Sequence, residues 1–278
     1  MRLGTALFKT YEDPEVWTAD LRSSGYTAAV WPLGDEADEE TVRAFAAAAA
    51  RAGIVIAEVG AWSNPISPDE RMRKEAIEFC RRRLALADRI GAACCVNIAG
   101  SRGERWDGPH PENLTVETFD LIVETVRAIV DAVKPTRTYY TLEPMPWVYP
   151  HTVESYLELI NAVGRPRFAV HLDPVNLIWS PERFYANGAL IEDCFARLGP
   201  YIKSCHAKDI ILRDELTVHL EEVRPGLGGL DYRAYLAAMA GMDPDLPLII
   251  EHLAAEEDYA AATGYIRGLA EELGVPVR

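Results

Sequence analysis

Four short apolar runs rich in β-prone residues each stop at an ionisable side chain. Thr138–Glu143 ends in Glu143 with Pro144 next, Phe168–Asp173 ends in Asp173, Tyr201–His206 in His206 and Leu248–Glu251 in Glu251. A strand covered on both faces has little use for an acid in its middle. At its C-terminal end, where a loop begins, an acid stands where α/β enzymes build their sites. The separations are 30, 33 and 45 residues (143 to 173, 173 to 206, 206 to 251), and a βα unit takes roughly 30. The four residues are therefore read as successive strand tips, the last preceded by a longer loop. Two Glu, one Asp and one His gathered at one mouth form a mixed oxygen and nitrogen donor set suited to a divalent cation. The blander reading has each acid capping a helix or pairing with Lys203, Lys208 or Arg224. It suits any one of the four better than all four at consecutive tips.

The rest of the chain agrees with this spacing. Strands are expected at Leu3–Phe8, Tyr26–Trp31, Ile54–Val59 and Ala93–Ile98 as well, with helices between them. Val116, Phe119, Val123, Val126, Val130 and Val133 mark one amphipathic stripe, and Val153, Tyr156, Leu157, Ile160 and Val163 another. Ser67-Pro-Asp-Glu70 predicts a capping box, and Ser180-Pro181 a cap followed by proline. Strict βα alternation without a Ser/Gly/Pro-rich linker predicts one domain over residues 1–278, a (β/α)8 TIM barrel of the α/β class. A doubly wound sheet is the alternative, but the turn after the first strand, Thr10-Tyr-Glu-Asp-Pro14, lacks the glycines of a phosphate-binding loop. Gly100–Thr115 and Lys208–Leu230 are expected to be long loops on the face of the four tips.

Composition narrows the partners. The formal net charge of −15 argues against general binding to nucleic acid or anionic membranes. Five cysteines without a zinc-finger spacing predict buried thiols in a reducing cytosol. No apolar run approaches the roughly 18 residues of a membrane span, and no leader-like segment precedes the first strand. The expectation is a cytoplasmic protein.

Leu142-Glu143-Pro144, His171-Leu-Asp173-Pro174, Cys205-His206-Ala-Lys208-Asp209 and Ile249-Ile-Glu251-His252 together resemble the sugar phosphate isomerase/epimerase superfamily, the xylose isomerase-like barrels. That superfamily includes ketose 3-epimerases, hydroxypyruvate isomerases, inosose dehydratases and apurinic-site endonucleases. The resemblance extends to Glu58-Val-Gly-Ala-Trp-Ser-Asn64 and to Gly226-Leu-Gly-Gly-Leu-Asp231, so it covers nearly the whole chain. It implies that Glu143, Asp173, His206 and Glu251 bind one divalent cation; the oxygen-rich donor set itself suits Mn²⁺ first, with Mg²⁺, Co²⁺ or Zn²⁺ compatible. The resemblance further implies that Glu143 and Glu251 transfer protons. Such chemistry removes a proton from carbon beside a carbonyl, with a metal-stabilised enediolate between substrate and product.

Departures from the family concern substrate contacts. Asn176 stands where ketose 3-epimerases carry a histidine, and Leu212 where they carry an arginine. The endonuclease branch uses further histidines at the third and fourth strand ends, where this chain has Trp62, Asn64 and Asn97. Trp31, Trp62, Trp106, Trp147 and Trp179 fall at strand ends or in loops of the same face. Flat indoles there suit the C–H faces of a sugar, or alternatively plug the barrel mouth. The expected substrate-binding residues are Trp62, Asn97, Trp106, Trp147, Asn176, Lys208 and His171, the last deeper in the barrel or in its core. His252 is expected to point toward the helices.

The function expected from sequence is thus a metal-dependent sugar isomerase or epimerase. A dehydratase or lyase on a keto-sugar or inosose is the alternative, and a non-catalytic sugar-binding barrel the rival from another class. A small-molecule substrate and a homo-oligomer are expected, with no nucleic-acid or membrane partner.

Overall fold

Eight parallel strands close on themselves in the computed structural model, which describes residues 1–6 and 9–278. They are β1 (Arg2–Thr5), β2 (Ala28–Val30), β3 (Val55–Gly60), β4 (Cys94–Asn97), β5 (Tyr140–Leu142), β6 (Phe168–Leu172), β7 (Ile202–Ala207) and β10 (Pro247–Ile250). Each pairs with its neighbour in chain order, and β1 closes the ring against β10. This is a single-domain TIM barrel, as the alternation predicts. The last two residues of the expected first strand, Leu7 and Phe8, lie outside the described residues.

Helices α1 (Pro14–Ser23), α2 (Glu39–Ala52), α3 (Glu70–Ile90), α4 (Val116–Val133), α5 (Val153–Val163), α6 (Pro181–Tyr185), α7 (Asn187–Leu198), α8 (Tyr232–Ala240) and α9 (Glu256–Leu273) fill the connections. The two predicted stripes fall on α4 and α5, and Val123, Val126, Val130, Tyr156 and Val163 are buried as read, but Val116 is 71% exposed and Ile122 and Ile129 complete the buried face of α4 instead. Ser180 caps α6 and Pro181 opens it, as read from sequence. The capping box at Ser67 does not form. Asp69 is the cap of α3, accepting from Met72 N, and the Ser67 hydroxyl accepts from Asp69 N instead. Two capping side chains two residues apart competed, and the carboxylate nearer the first helical turn won.

The expected loop after the seventh strand contains an antiparallel hairpin, β8 (Asp209–Arg213) with β9 (His219–Val223). Asp209 holds the return segment, its carboxylate accepting from the backbone N–H groups of Ile210, Gly226, Gly228 and Leu230. A Cβ on Gly228 would lie 2.3 Å from Asp209 Oδ1, so only glycine lets this backbone wrap the carboxylate.

All five cysteines are free and buried. Among the described residues, no helix is long and apolar enough to cross a membrane.

Candidate metal centre at the barrel mouth

Glu143, Asp173, His206 and Glu251 are brought together by the ends of β5, β6, β7 and β10. One donor atom from each lies within 4.8 Å of the others. The backbone N–H of Glu143 donates to Asn97 O at 2.8 Å, fixing the residue just beyond β5. Asp173 Oδ1 accepts from Val175 N at 2.9 Å, which aims Oδ2 at the centre. His206 turns Nδ1 toward the acids, 2.8 Å from Glu251 Oε1, 3.3 Å from Glu143 Oε1 and 3.9 Å from Asp173 Oδ2.

Tyrosines from the outer helices pin these strand ends. Tyr156 donates to Leu142 O, Tyr235 to His206 O at 2.8 Å and Tyr232 to Lys208 O at 2.8 Å. Each hydroxyl satisfies a buried carbonyl at or next to a residue of the centre. Sequence reading took Tyr156 for core apolar surface and did not single out the other two. A phenol on an otherwise apolar helix face was the available signal.

Lys208, 2% exposed, enters the cluster from the end of β7. Its ammonium lies 2.7 Å from Glu251 Oε1, 2.8 Å from Asp173 Oδ2 and 3.4 Å from Glu143 Oε1. It makes no pair with Asp209, whose carboxylate is committed to backbone. Asp173 Oδ2 and Glu251 Oε1 are close to Lys208 by distance but receive no aligned hydrogen bond. Proximity and hydrogen-bond geometry thus disagree here. The geometry decides what the oxygens still lack: a directional partner.

The charges respond to this crowding. Burial pushes Asp173 up to about 7, with the Glu143 carboxylate adding to the rise and Lys208 and His206 opposing it. Burial also opposes the charge on Glu143 and Glu251, but Lys208 and His206 outweigh it and hold both below the usual carboxylate range. Burial lowers His206, yet Glu251, Glu143 and Glu58 overcome this and hold it well above its ordinary value. Three carboxylates share one ammonium and one imidazole, and burial, with the neighbouring Glu143 carboxylate, carries Asp173 toward neutrality against the pull of both cations. Unpartnered carboxylate oxygens, a carboxyl carried toward neutrality, and an O₃N donor set all fit a divalent ion.

The other residues named from sequence are placed variously. Asn176 reaches the cluster, its amide donating to Glu143 Oε1 at 2.9 Å. His171 lies beneath it, fully buried, with its ring centroid 4.0 Å from that of His206. Asn97 is also fully buried and spends its side chain on Ser63 N and Cys80 Sγ. Trp62 follows β3 and leans back over Gly60, whose Cβ would meet the indole nitrogen at 2.6 Å. Trp106 is partly exposed in the loop after β4. Trp147 Nε1 donates to Asp107 O at 2.9 Å and ties the β5 loop to that same loop. Trp31 leaves the mouth altogether and packs on Trp17 and Phe45 under the helices. His252 does not turn toward the helices either. It adopts a left-handed conformation with φ 59° and lies 3.2 Å from Glu222 on β9.

The residue given no role from sequence, though it opens the β3 motif, is Glu58, an acid that is 3% exposed. Its Oε2 lies 2.7 Å from His171 Nε2 and its Oε1 3.5 Å from His206 Nε2. Burial raises its pKa, and the two imidazoles more than reverse this. The available signal was a lone carboxylate inside the apolar run Ile54–Val59.

A closed parallel barrel with a His and three carboxylates at the C-terminal ends of its strands is an enzyme-type scaffold. Residues 18–269 match the model of the xylose isomerase-like TIM barrel, and the chain belongs to that family. A search of curated proteins returns no match. Solved structures similar to the chain include the probable 3-DHS dehydratase AsbF of Bacillus anthracis, with 17% identity, a TM-score of 0.72, and coverage of 97% of this chain and 99% of that one. D-psicose 3-epimerase of Clostridium cellulolyticum, solved with D-tagatose, has 16% identity, a TM-score of 0.70 and coverage of 99% of both chains. Endonuclease IV of Thermus thermophilus has 14% identity, a TM-score of 0.73, and coverage of 98% of this chain and 100% of that one. At these identities the likeness is one of fold.

Proposed function

We propose that the protein is a divalent-metal-dependent isomerase or epimerase acting on a sugar or a related polyhydroxy carbonyl compound. The carrying observation is the convergence of Glu143, Asp173, His206 and Glu251, with two carboxylate oxygens left without an aligned donor. Those four residues would hold the ion, with Mn²⁺ the best suited to the donor set and Mg²⁺, Co²⁺ or Zn²⁺ compatible. When bound, such an ion polarises a carbonyl and stabilises negative charge developing on its oxygen.

The chain's own groups supply the rest. Glu143 and Glu251 are both held ionised, so each is a base able to take a proton from carbon beside the carbonyl and return it. Asn176 donates to Glu143 and fixes its orientation. Trp62, Trp106 and Trp147 stand on mouth loops where indole faces would offer apolar surface to substrate C–H groups.

One observation favours a second reading. Lys208 is a buried ammonium beside the proton-transferring acids, and it could protonate a departing β-hydroxyl, as a dehydratase or lyase on a keto-sugar would require. A DNA-cleaving role has less support. His219 is exposed on β9, outside the cluster, and the net charge is −15.

The test is solvent-deuterium exchange followed by NMR, with Mn²⁺ and a panel of ketoses, inososes and 3-keto-sugars, repeated after chelation. Metal-dependent deuterium beside the carbonyl with the skeleton retained supports the isomerase or epimerase. Metal-dependent loss of a substituent supports the lyase. Exchange that survives chelation in metal-free protein sinks the metal-dependent mechanism.

A further inference from the structure

Beneath the four-residue cluster, His206 presents its other ring nitrogen to an acid. Nδ1 faces Glu143, Asp173 and Glu251, while Nε2 faces Glu58 Oε1 at 3.5 Å, the outer limit of a hydrogen bond. Glu58 comes from β3, across the barrel from β7, and is fixed from its other oxygen. Its Oε2 is 2.7 Å from His171 Nε2 and 3.4 Å from the Ser204 hydroxyl. A register shift between Val170 and His171 sets His171 opposite Ser204, so both point at the same carboxylate. An imidazole ligates through one nitrogen only when the proton resides on the other, and a carboxylate at that second nitrogen decides the tautomer.

We propose that Glu58 is the positioning residue of His206, accepting its Nε2–H so that the Nδ1 lone pair is presented to a divalent ion at the mouth. His171 and Ser204 occupy the other oxygen of Glu58, Oε2, and leave Oε1 to His206. The assignment rests on the metal-centre reading above. It explains why the barrel buries an acid on β3, where the other strands of that half of the ring carry none. Two imidazoles and a hydroxyl around one carboxylate form a network that is costly unless each member is partnered.

The test compares Glu58→Gln, which keeps shape but replaces the charge-assisted acceptor with a weaker amide oxygen, with His171→Asn, which leaves Glu58 facing His206. Mn²⁺ affinity is read by calorimetry. The His206 tautomer is read from long-range ¹H–¹⁵N spectra of Mg²⁺-loaded and metal-free protein. Glu58→Gln is expected to weaken Mn²⁺ by at least about tenfold, at the lower end of the usual range for such partners, and to shift the His206 Nε2–H resonance. His171→Asn is expected to stay within about threefold of the parent. Wild-type affinity with an unshifted His206 resonance in Glu58→Gln overturns the proposal. So does an equal loss in His171→Asn, which would make the effect one of packing. If Glu58→Gln fails to fold, the parent spectrum decides: a His206 ring without an Nε2 proton when Mg²⁺ is bound overturns the assignment. If the parent binds no Mn²⁺, the metal-centre reading fails instead. The metal-free spectrum then still shows whether the Nε2–H rests on Glu58.

Discussion

The two halves of the barrel mouth are built to different ends. On the side of β1 to β4, Thr5, Glu58 and Asn97 spend their side chains on partners within the protein, Glu58 on the imidazoles of His171 and His206. Thr5 donates to Ile250 O, and Asn97 is divided between Ser63 and Cys80. On the side of β5, β6, β7 and β10, three carboxylates and an imidazole crowd together, and two of the oxygens have no aligned donor. Satisfied polar groups stabilise a scaffold, whereas unsatisfied ones at high mutual charge mark a place waiting for a ligand. The difference teaches that the ring is a fixed frame on one side and a reactive edge on the other.

The largest expected effect breaks the reactive side alone. Glu143→Gln and Glu251→Gln are each expected to lower metal-dependent exchange on the true substrate by roughly 10²–10⁴-fold, and also to lower the melting temperature, because Lys208 and His206 each lose a charged partner. Asn97→Ala is expected to spare the exchange and lower only the melting temperature, by several degrees, through its lost hydrogen bonds. Turnover that is unchanged in both Gln variants removes the proton-transfer assignment. Turnover lost equally in Asn97→Ala removes the division between the halves.

The next effect is a pH dependence confined to the same side. Asp173 is pushed up to about 7 and His206 is held above its ordinary value. For both, the folded value exceeds the unfolded one. Their contribution to stability is therefore complete at low pH and is lost as pH rises through the folded values. The melting temperature of metal-free protein should fall from about pH 4 to pH 7 as the Asp173 contribution is lost, and should go on falling above about pH 6.5 as that of His206 is lost. The carboxylates held low, Glu58, Glu143 and Glu251, carry the opposite sign and act only in acid. Ligation requires both protons to leave, so Mn²⁺ affinity should climb over the same window, by up to about tenfold per pH unit for each proton released. Calorimetry in two buffers of different ionisation enthalpy counts the protons. An affinity flat with pH would show that the site already stands deprotonated.

What the sequence made legible follows from the same contrast. Strands buried on both faces are almost purely apolar, so an acid or imidazole at the end of such a run stands out. Glu143, Asp173, His206 and Glu251 could be named for that reason, along with the barrel that lines them up. Glu58 breaks the same kind of run but lies two residues before the strand's end, so it passed as part of the motif leading to Trp62. The hairpin of β8 and β9 was hidden because β9 is largely exposed and polar while β8 is buried only at its start, and length alone suggested a loop. The tyrosines pinning Leu142, His206 and Lys208 were not legible because a helix stripe reports burial, not where a hydroxyl ends. Trp31 was misplaced because strand-end position does not fix the direction of an indole whose neighbours, Trp17 and Phe45, come from two different helices.

A smaller effect sharpens the role of those tyrosines. Tyr235→Phe leaves His206 O, a buried carbonyl, without its hydroxyl donor. It should cost about 1–3 kcal/mol, seen as a lower denaturation midpoint. If His206 is held by its backbone as well as by Glu58, Mn²⁺ affinity should fall by only about threefold, well short of the tenfold or more that marks a carboxylate partner of a ligand.

The smallest expected effect lies at the seam where the frame meets the reactive edge. Thr5 on β1 is 2% exposed, and its hydroxyl donates to Ile250 O at 2.9 Å, one residue before Glu251. Thr5→Val keeps the side-chain shape and deletes the hydroxyl, which also lies 3.1 Å from Ala6 O and bonds Tyr259, so about 1 kcal/mol of stability should be lost. A chain of this size should then melt about 2–4 °C lower. If the frame reaches the reactive edge through Glu58 rather than through this seam, Mn²⁺ affinity and turnover should stay within about twofold, since the β1–β10 ladder still fixes the strand that carries Glu251. A tenfold loss of affinity in Thr5→Val would mean that the frame sets the position of Glu251 through this single hydroxyl. The reactive edge would then begin at β1 rather than at β10.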